Sequence, residues 1–143
     1  MFADAAVYAL AIFAVGKASH LKLRAAHISG WLQMILALSV LFEVGRRFLY
    51  GSEPVSMLMM GMGAIALIAN VICLKLIYKN KDSGAHMKAT WIFSANDVIA
   101  NIGVILAGSL VMLTGSAIAD LVIGTIIGLV VLLGAVRILR IKA

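Results

Sequence analysis

Asp97 lies near the middle of an apolar run of the sequence, residues 90–113. About 20 mostly apolar residues are enough for a helix to span the hydrocarbon core of a bilayer. A carboxylate at that depth costs about 2.5–3.5 kcal/mol or more to insert, unless it faces a partner, an ion or a cavity. Asn101 follows four residues later, so a helix places both side chains on one face, where their oxygens can bind one ligand. The two residues together predict a cation path inside a membrane.

A purely structural role is the alternative for Asp97 and Asn101, because polar side chains also form hydrogen bonds between packed membrane helices. Ionisable residues inside a membrane are nevertheless functional by default, which favours the ion for Asp97. Carboxylate and amide oxygens suit the harder divalent cations, and the soft thiolate set that selects copper(I) is missing. For Asn101 both interpretations stay open.

The composition indicates an integral membrane protein. The chain has 143 residues, of which 64% are hydrophobic, and its mean hydropathy is +1.11. A soluble domain of this size cannot bury so much apolar surface, so lipid must be the solvent. The formal net charge of +6 does not indicate a nucleic-acid partner, because the basic residues flank apolar segments instead of forming a soluble patch. The single cysteine, Cys73, excludes an internal disulfide.

Five apolar segments predict the fold class. They cover residues 1–16, 28–50, 55–78, 90–113 and 117–139, and they are joined by links at 17–27, 51–54, 79–89 and 114–116. Backbone polar groups must be satisfied inside lipid, and no alternating strand pattern is present, so each segment is predicted to be a helix. Short links make consecutive helices antiparallel. We therefore predict an all-α polytopic bundle of about five transmembrane helices, in one transmembrane domain over residues 1–143.

The basic residues predict the orientation of this bundle. Only Arg46 and Arg47 fall at one end, near the second link. The other ten of the 12 Lys and Arg flank the first link, the third link or the C-terminal tail: Lys17, Lys22, Arg24, Lys75, Lys79, Lys81, Lys88, Arg137, Arg140 and Lys142. Cytoplasmic loops carry the excess of Lys and Arg. We expect a bacterial inner (cytoplasmic) membrane protein with its C-terminus in the cytoplasm.

The remaining polar residues are predicted to have structural roles. Glu43 precedes Arg46 and Arg47 by three and four residues, which suits an interfacial ion pair. Asp120 opens the last segment, where a carboxylate favours the positive end of a helix dipole. The histidines have no second ligand at i+3 or i+4, so we expect them to be interfacial loop residues: His20, His27 and His86.

Five stretches in chain order carry a family resemblance: residues 4–8, 41–47, 61–70, 91–101 and 114–120. The spacing of Asn96, Asp97, Asn101 and Asp120 resembles the fifth and sixth helices of cation diffusion facilitator transporters. The earlier stretches are similar to the second, third and fourth helices. The resemblance implies export of divalent metals, usually zinc or its neighbours, in exchange for protons. It also implies a homodimer of six-helix protomers, most often with a soluble C-terminal domain.

The resemblance also implies a ligand role for Asp4, which matches a metal-binding aspartate of the family's second helix. By itself, Asp4 would be interpreted as a terminal residue at the membrane interface. Phe93 stands where the family usually has a histidine or aspartate ligand, so the visible ligands are oxygens: Asp4, Asp97 and Asn101. On this comparison the chain corresponds to the family's transmembrane domain, without the first helix and the soluble domain.

We therefore expect a divalent cation transporter with a proton antiport mechanism. Its substrate would be zinc, or manganese, cobalt, cadmium, nickel or iron, and it would need no resident cofactor. No phosphate-binding loop, Ser-His-Asp constellation or zinc-hydrolase motif is present in the sequence, so an enzyme is not expected. Two alternatives remain open. One is a truncated or degenerate membrane subunit that does not transport, and the other is a proton-coupled exporter of small molecules. The G-x-x-x-G of Gly124 and Gly128 predicts close helix packing, within the bundle or in a homodimer.

Overall fold

A computed structural model of the protein describes residues 2–51 and 57–142, with the side chain of Met59 left out. It contains five helices in chain order: α1 (Phe2–Ala14), α2 (Ser19–Tyr50), α3 (Met57–Tyr78), α4 (Ala85–Thr114) and α5 (Ile118–Leu139). The described part of the chain has no strand. The prediction of an all-α bundle with about five helices is therefore confirmed.

Four of these helices, α2 to α5, are long and apolar enough to cross a membrane, while α1 has 13 residues and is shorter. α2 has 32 residues, which at 1.5 Å per residue is about 48 Å. The hydrocarbon core of a bilayer is only about 30 Å thick. The ends of α2 must therefore extend into the headgroup regions.

The predicted boundaries of the first and third links are wrong. α2 begins at Ser19 and α4 at Ala85, whereas hydropathy placed the segments at 28–50 and 90–113. Hydropathy detects only the part of a helix that lies in hydrocarbon, and both helices continue as polar turns beyond it. The actual turns contain Gly16 and Gly84, at φ 72° and 143°, where only glycine is unstrained. Most of the second predicted link, 51–54, lies outside the described residues.

α4 is the central helix, because it packs against each of the other four helices. α5 packs most extensively on α2, α1 contacts α2 and α4, and α3 packs mainly against α4, with Cys73 of α3 also near Tyr8 of α1. Glycines make the α2–α5 contact close. A Cβ on Gly128 would lie 2.8 Å from Leu41 Cγ, and one on Gly124 would lie 2.9 Å from Val44 Cγ2. The predicted G-x-x-x-G packing face is thus used inside the bundle.

The core consists mainly of small side chains with a few larger ones between them. Phe93 of α4 is 1% exposed and packs with Val7, Ala26 and Ile138, which come from α1, α2 and α5. Many large apolar side chains point outwards, as lipid-facing residues do: Ile65, Ile68, Leu76, Ile126, Leu129 and Leu133 among others. The small inner face lets α1 approach α4 at the depth of Asp97.

Candidate cation site

Asp97 and Asp4 lie together between two helices. Asp97 is on α4 and Asp4 is in the first turn of α1, and their carboxyl groups are within hydrogen-bonding reach of each other. Both residues are half-buried. The structure thus brings together the two acidic residues that were singled out in the sequence, although they are separated by most of the chain.

Two carboxylates at this separation repel each other strongly when both are ionised. The arrangement is stable when a proton is shared between them or when a cation lies between them. Asp97 Oδ2 is buried and has no hydrogen-bond partner among the described residues. This oxygen has free lone pairs, which a metal ligand requires.

Asn101 lies one turn beyond Asp97 on α4 and is also half-buried. The helix confirms that both side chains share one face. Within the described residues the Asn101 amide has no hydrogen bond, so its oxygen is available to an ion near Asp97. No group of three His, Cys, Asp or Glu residues forms in the described part of the chain. The visible donors are therefore two carboxyl groups and one amide.

Tyr8 and Ser94 form a second bridge between α1 and α4. The Tyr8 hydroxyl lies 3.1 Å from Ser94 Oγ. Tyr8 follows Asp4 by one helical turn and Ser94 precedes Asp97 by one turn, so this hydrogen bond fixes the register of the two acidic residues. Neither Tyr8 nor Ser94 was predicted from the sequence to have a role in the site. Their spacing from the two aspartates is the signal that could have identified them.

Phe93 lies one turn before Asp97 on the same face of α4, and its ring packs in an apolar cluster that includes Val7 of α1. An aromatic hydrocarbon ring supplies no ligand atom at this position of α4. This is consistent with a donor set limited to oxygens.

Two buried amide side chains, Asn96 and Gln33, lie at a neighbouring face of α4. A Cβ on Gly134 of α5 would overlap Asn96 Nδ2 and would lie 2.8 Å from Gln33 Nε2 of α2. Gln33 Nε2 donates a hydrogen bond of 3.3 Å to the carbonyl oxygen of Val131. Gln33 and Asn96 are 1% and 7% exposed, so three helices meet at a polar contact in the core. The role of Gln33 was not predicted from the sequence. The only indication of it was the presence of a polar residue in the apolar run of α2.

The prediction that the histidines are loop residues is wrong. His20 and His27 lie in α2, and His86 lies in the first turn of α4, where it is 3% exposed. His27 Nε2 lies 3.2 Å from the carbonyl oxygen of Ile141, and Thr90 Oγ1 donates to the carbonyl oxygen of His86. The helices begin earlier than hydropathy predicted, so these residues are helical.

The other end of the bundle carries an ion-pair network. Arg46 and Arg47 both donate to the Glu43 carboxylate, as predicted. Arg47 Nη1 also donates to Asp120 Oδ2 at 2.8 Å, which joins the end of α2 to the beginning of α5. Asp120 lies in the first turn of α5, as expected for the helix dipole, but its partner is this arginine.

A comparison with protein families identifies the type of domain. The model of the cation efflux transmembrane domain matches residues 1–143. This match agrees with the apolar helices, with the acidic pair inside the bundle and with the sequence resemblance noted above. The chain is thus an integral membrane domain of a cation transport family. It belongs to the cation efflux family, the cation diffusion facilitators.

Proposed function

We propose that the protein moves a divalent metal cation across the membrane in exchange for protons, with Asp4 and Asp97 as the exchange site. The observation that carries this proposal is the position of the two carboxyl groups, within hydrogen-bonding reach of each other on different helices. Such a pair holds either a proton or a cation, and each ion weakens the binding of the other.

The exchange follows from the charges of the pair. A divalent cation compensates both carboxylates, so its binding releases the proton that they shared. In the reverse direction, protonation of Asp97 removes a ligand and releases the metal ion. Asn101 contributes an amide oxygen from the same face of α4. Movement of the helices relative to each other then exposes the site to the two sides of the membrane in turn.

The substrate class follows from the donor atoms. Oxygen ligands accept zinc, manganese, cobalt, cadmium, nickel and iron, with a shift towards manganese relative to a site that contains imidazole. Phe93 supplies no ligand, and in the described residues no histidine joins the pair. We infer a site that binds several divalent metals rather than one that is restricted to zinc.

Orientation and assembly are part of the proposal. The excess of basic residues at one end supports a cytoplasmic C-terminus in a bacterial inner membrane. The expectation of a homodimer rests on the family resemblance alone. The Gly124–Gly128 face does not support it, because α2 already occupies that face. Mass measurement in mild detergents and in lipid should give two chains per particle. A monomer under all of these conditions would refute the dimer.

The test is metal flux into proteoliposomes that contain the full chain, followed with a zinc-sensitive dye under an imposed pH gradient. Asp97→Asn should abolish the flux and Asp4→Asn should lower it at least about tenfold, because each removes a charge that binds the ion. Asp82→Asn is the matched control, since Asp82 is an exposed acid outside the site. Flux in Asp97→Asn equal to that of the parent protein would refute the proposal.

The same vesicles distinguish the two alternative functions. Proton-coupled movement of an organic cation such as ethidium, without movement of metals, would indicate a small-molecule exporter. A folded parent protein that moves neither class of cation would indicate a subunit that does not transport.

A further inference from the structure

A large basic cavity lies at the end of the bundle where α2 and α4 begin and α5 ends. Its volume is about 780 Å³. Six basic side chains from these helices and their flanking turns line it: Lys22, Lys81, Lys88, Arg137, Arg140 and Lys142. This cavity is separate from the pair of Asp4 and Asp97, and the proposed transport mechanism does not use it.

The positive charge of the cavity is not neutralised within the protein. Asp82 is the single acidic residue among the lining residues. None of the six basic side chains forms a salt bridge with any residue in the described part of the chain. Concentrated charge of one sign in a concave surface attracts counter-ions strongly, so the cavity is suited to an anion.

Two helix N-termini add to this potential. α2 begins at Ser19 and α4 at Ala85, and both residues line the cavity. The first backbone N–H groups of a helix have no partner within the helix and carry partial positive charge.

Arg137 and Arg140, three residues apart at the end of α5, lie on one helix face. Guanidinium groups bind phosphate oxygens in a bidentate manner, so the anion that fits best carries a phosphate group.

Aromatic side chains indicate the depth of the cavity in the membrane. Lys81 Nζ lies 4.3 Å from the centre of the Tyr78 ring and 5.3 Å from that of Trp91. Tyrosine and tryptophan are enriched at the level of the lipid headgroups. Trp91 is followed by Ile92, which lines the cavity together with Ile141. The cavity thus offers basic groups at headgroup depth and apolar wall beside them.

We propose that this cavity binds the phosphate headgroup of an anionic phospholipid from the cytoplasmic leaflet. A soluble phosphate could satisfy the basic groups, but only a lipid also uses the apolar wall at this depth. Basic pockets between transmembrane helices on the cytoplasmic side bind anionic headgroups for the same reason. Lys17 and Lys79 lie at the same end of the bundle but outside the cavity. Their replacement therefore separates binding in the cavity from general attraction of the basic end to the membrane surface.

The test is lipid retention by the full chain, measured by native mass spectrometry after extraction from vesicles of equal parts phosphatidylglycerol and phosphatidylcholine. The parent protein should retain phosphatidylglycerol selectively. Arg137→Gln with Arg140→Gln should lower that retention by about fivefold or more for each lost cation. Lys17→Gln with Lys79→Gln is the matched control, since it removes the same charge from the same end, and it should retain the lipid like the parent. Lys22→Gln with Lys88→Gln provides a second cavity variant.

Thermal unfolding in detergent shows which variants are folded. Lipid retention is compared only for the cavity variants that unfold at the same temperature as the parent protein. Equal loss of phosphatidylglycerol in the cavity and control variants would overturn the proposal in favour of diffuse surface charge. Undiminished retention in both cavity variants would also overturn it. In a second arm, inorganic phosphate at millimolar concentration is added to the parent protein during extraction. Phosphatidylglycerol should remain bound. Its displacement, with phosphate alone bound in the cavity, would assign the site to a soluble anion and not to a lipid.

Discussion

The Asn96 amide lies directly against the backbone of Gly134, in a space that a single methyl group would fill. Asn96 precedes the candidate ligand Asp97, so α5 packs against α4 directly beside the site although α5 supplies none of the candidate ligands. Gln33 of α2 approaches the same glycine, and the three residues form a contact of α2, α4 and α5. We therefore expect the position of the carboxyl pair to be sensitive to the side chain at residue 134.

Replacement of Gly134 by alanine should displace Asn96 and rotate α4. We expect Gly134→Ala to destabilise the protein by about 1–3 kcal/mol, as overpacking of a core does, and to lower metal flux. Thermal unfolding in detergent and flux in vesicles measure the two effects. Gly61→Ala is the control, because a Cβ there meets no atom within 4 Å. Equal melting temperatures for both variants would show that the amide contact is not rigid.

Metal binding should release protons from the carboxyl pair. Calorimetric titration with zinc in two buffers of different ionisation enthalpy gives the number of protons released per ion. We expect about one proton for the parent protein near neutral pH and a clearly smaller number for Asp97→Asn, since the shared proton needs both carboxyl groups. Affinity for zinc should rise with pH in the parent protein, because protons compete with the metal. The Asp82→Asn variant should behave like the parent; loss of proton release there would place the titrating group elsewhere.

Phe93 should determine the preference among metals. Phe93→His adds an imidazole one turn before Asp97, and imidazole favours zinc over manganese. We expect the ratio of zinc affinity to manganese affinity to increase about tenfold, measured by competitive binding. Phe93→Leu, which adds no ligand, controls for the loss of a ring from a core position that is 1% exposed. A strong zinc preference in the parent that neither variant changes would mean that Phe93 lies outside the ligand set.

The orientation can be tested with single cysteines in a Cys73→Ser background. Ser83 is exposed in the turn between α3 and α4, at the basic end of the bundle, and Ser52 belongs to the second predicted link. An impermeant maleimide applied to intact cells should label Ser52→Cys and should label Ser83→Cys only after permeabilisation. The opposite pattern would reverse the orientation and would place the basic cavity outside the cell.

Much of the fold could be predicted from hydropathy, and the inner faces of the helices could not. The helices are apolar on nearly every side, because lipid and core are both apolar, so periodicity does not tell which face is buried. For this reason Gln33 was missed. The predicted helix ends were wrong where polar turns continue towards the headgroups. For the same reason His86 was predicted to lie in a loop, although it lies in the first turn of α4. The contact of Asp4 with Asp97 depends on the packing of α1 against α4, and in the sequence only the family resemblance indicated it.

α2 and α5 are fastened to each other at both ends and along their length. Arg47 binds Asp120 at one end, His27 lies against the carbonyl oxygen of Ile141 at the other, and Gly128 admits the side chain of Leu41 between them. The two helices thus form one packed unit, whereas in the described part of the chain the backbone of α3 lies close to that of α4 only. Bending between α2 and α5 would break contacts along their whole length, so we expect these two helices to move as one unit relative to α1, α3 and α4. The boundary between this unit and α4 includes the contact of Asn96 with Gly134, so movement of α2 and α5 would act directly beside the carboxyl pair.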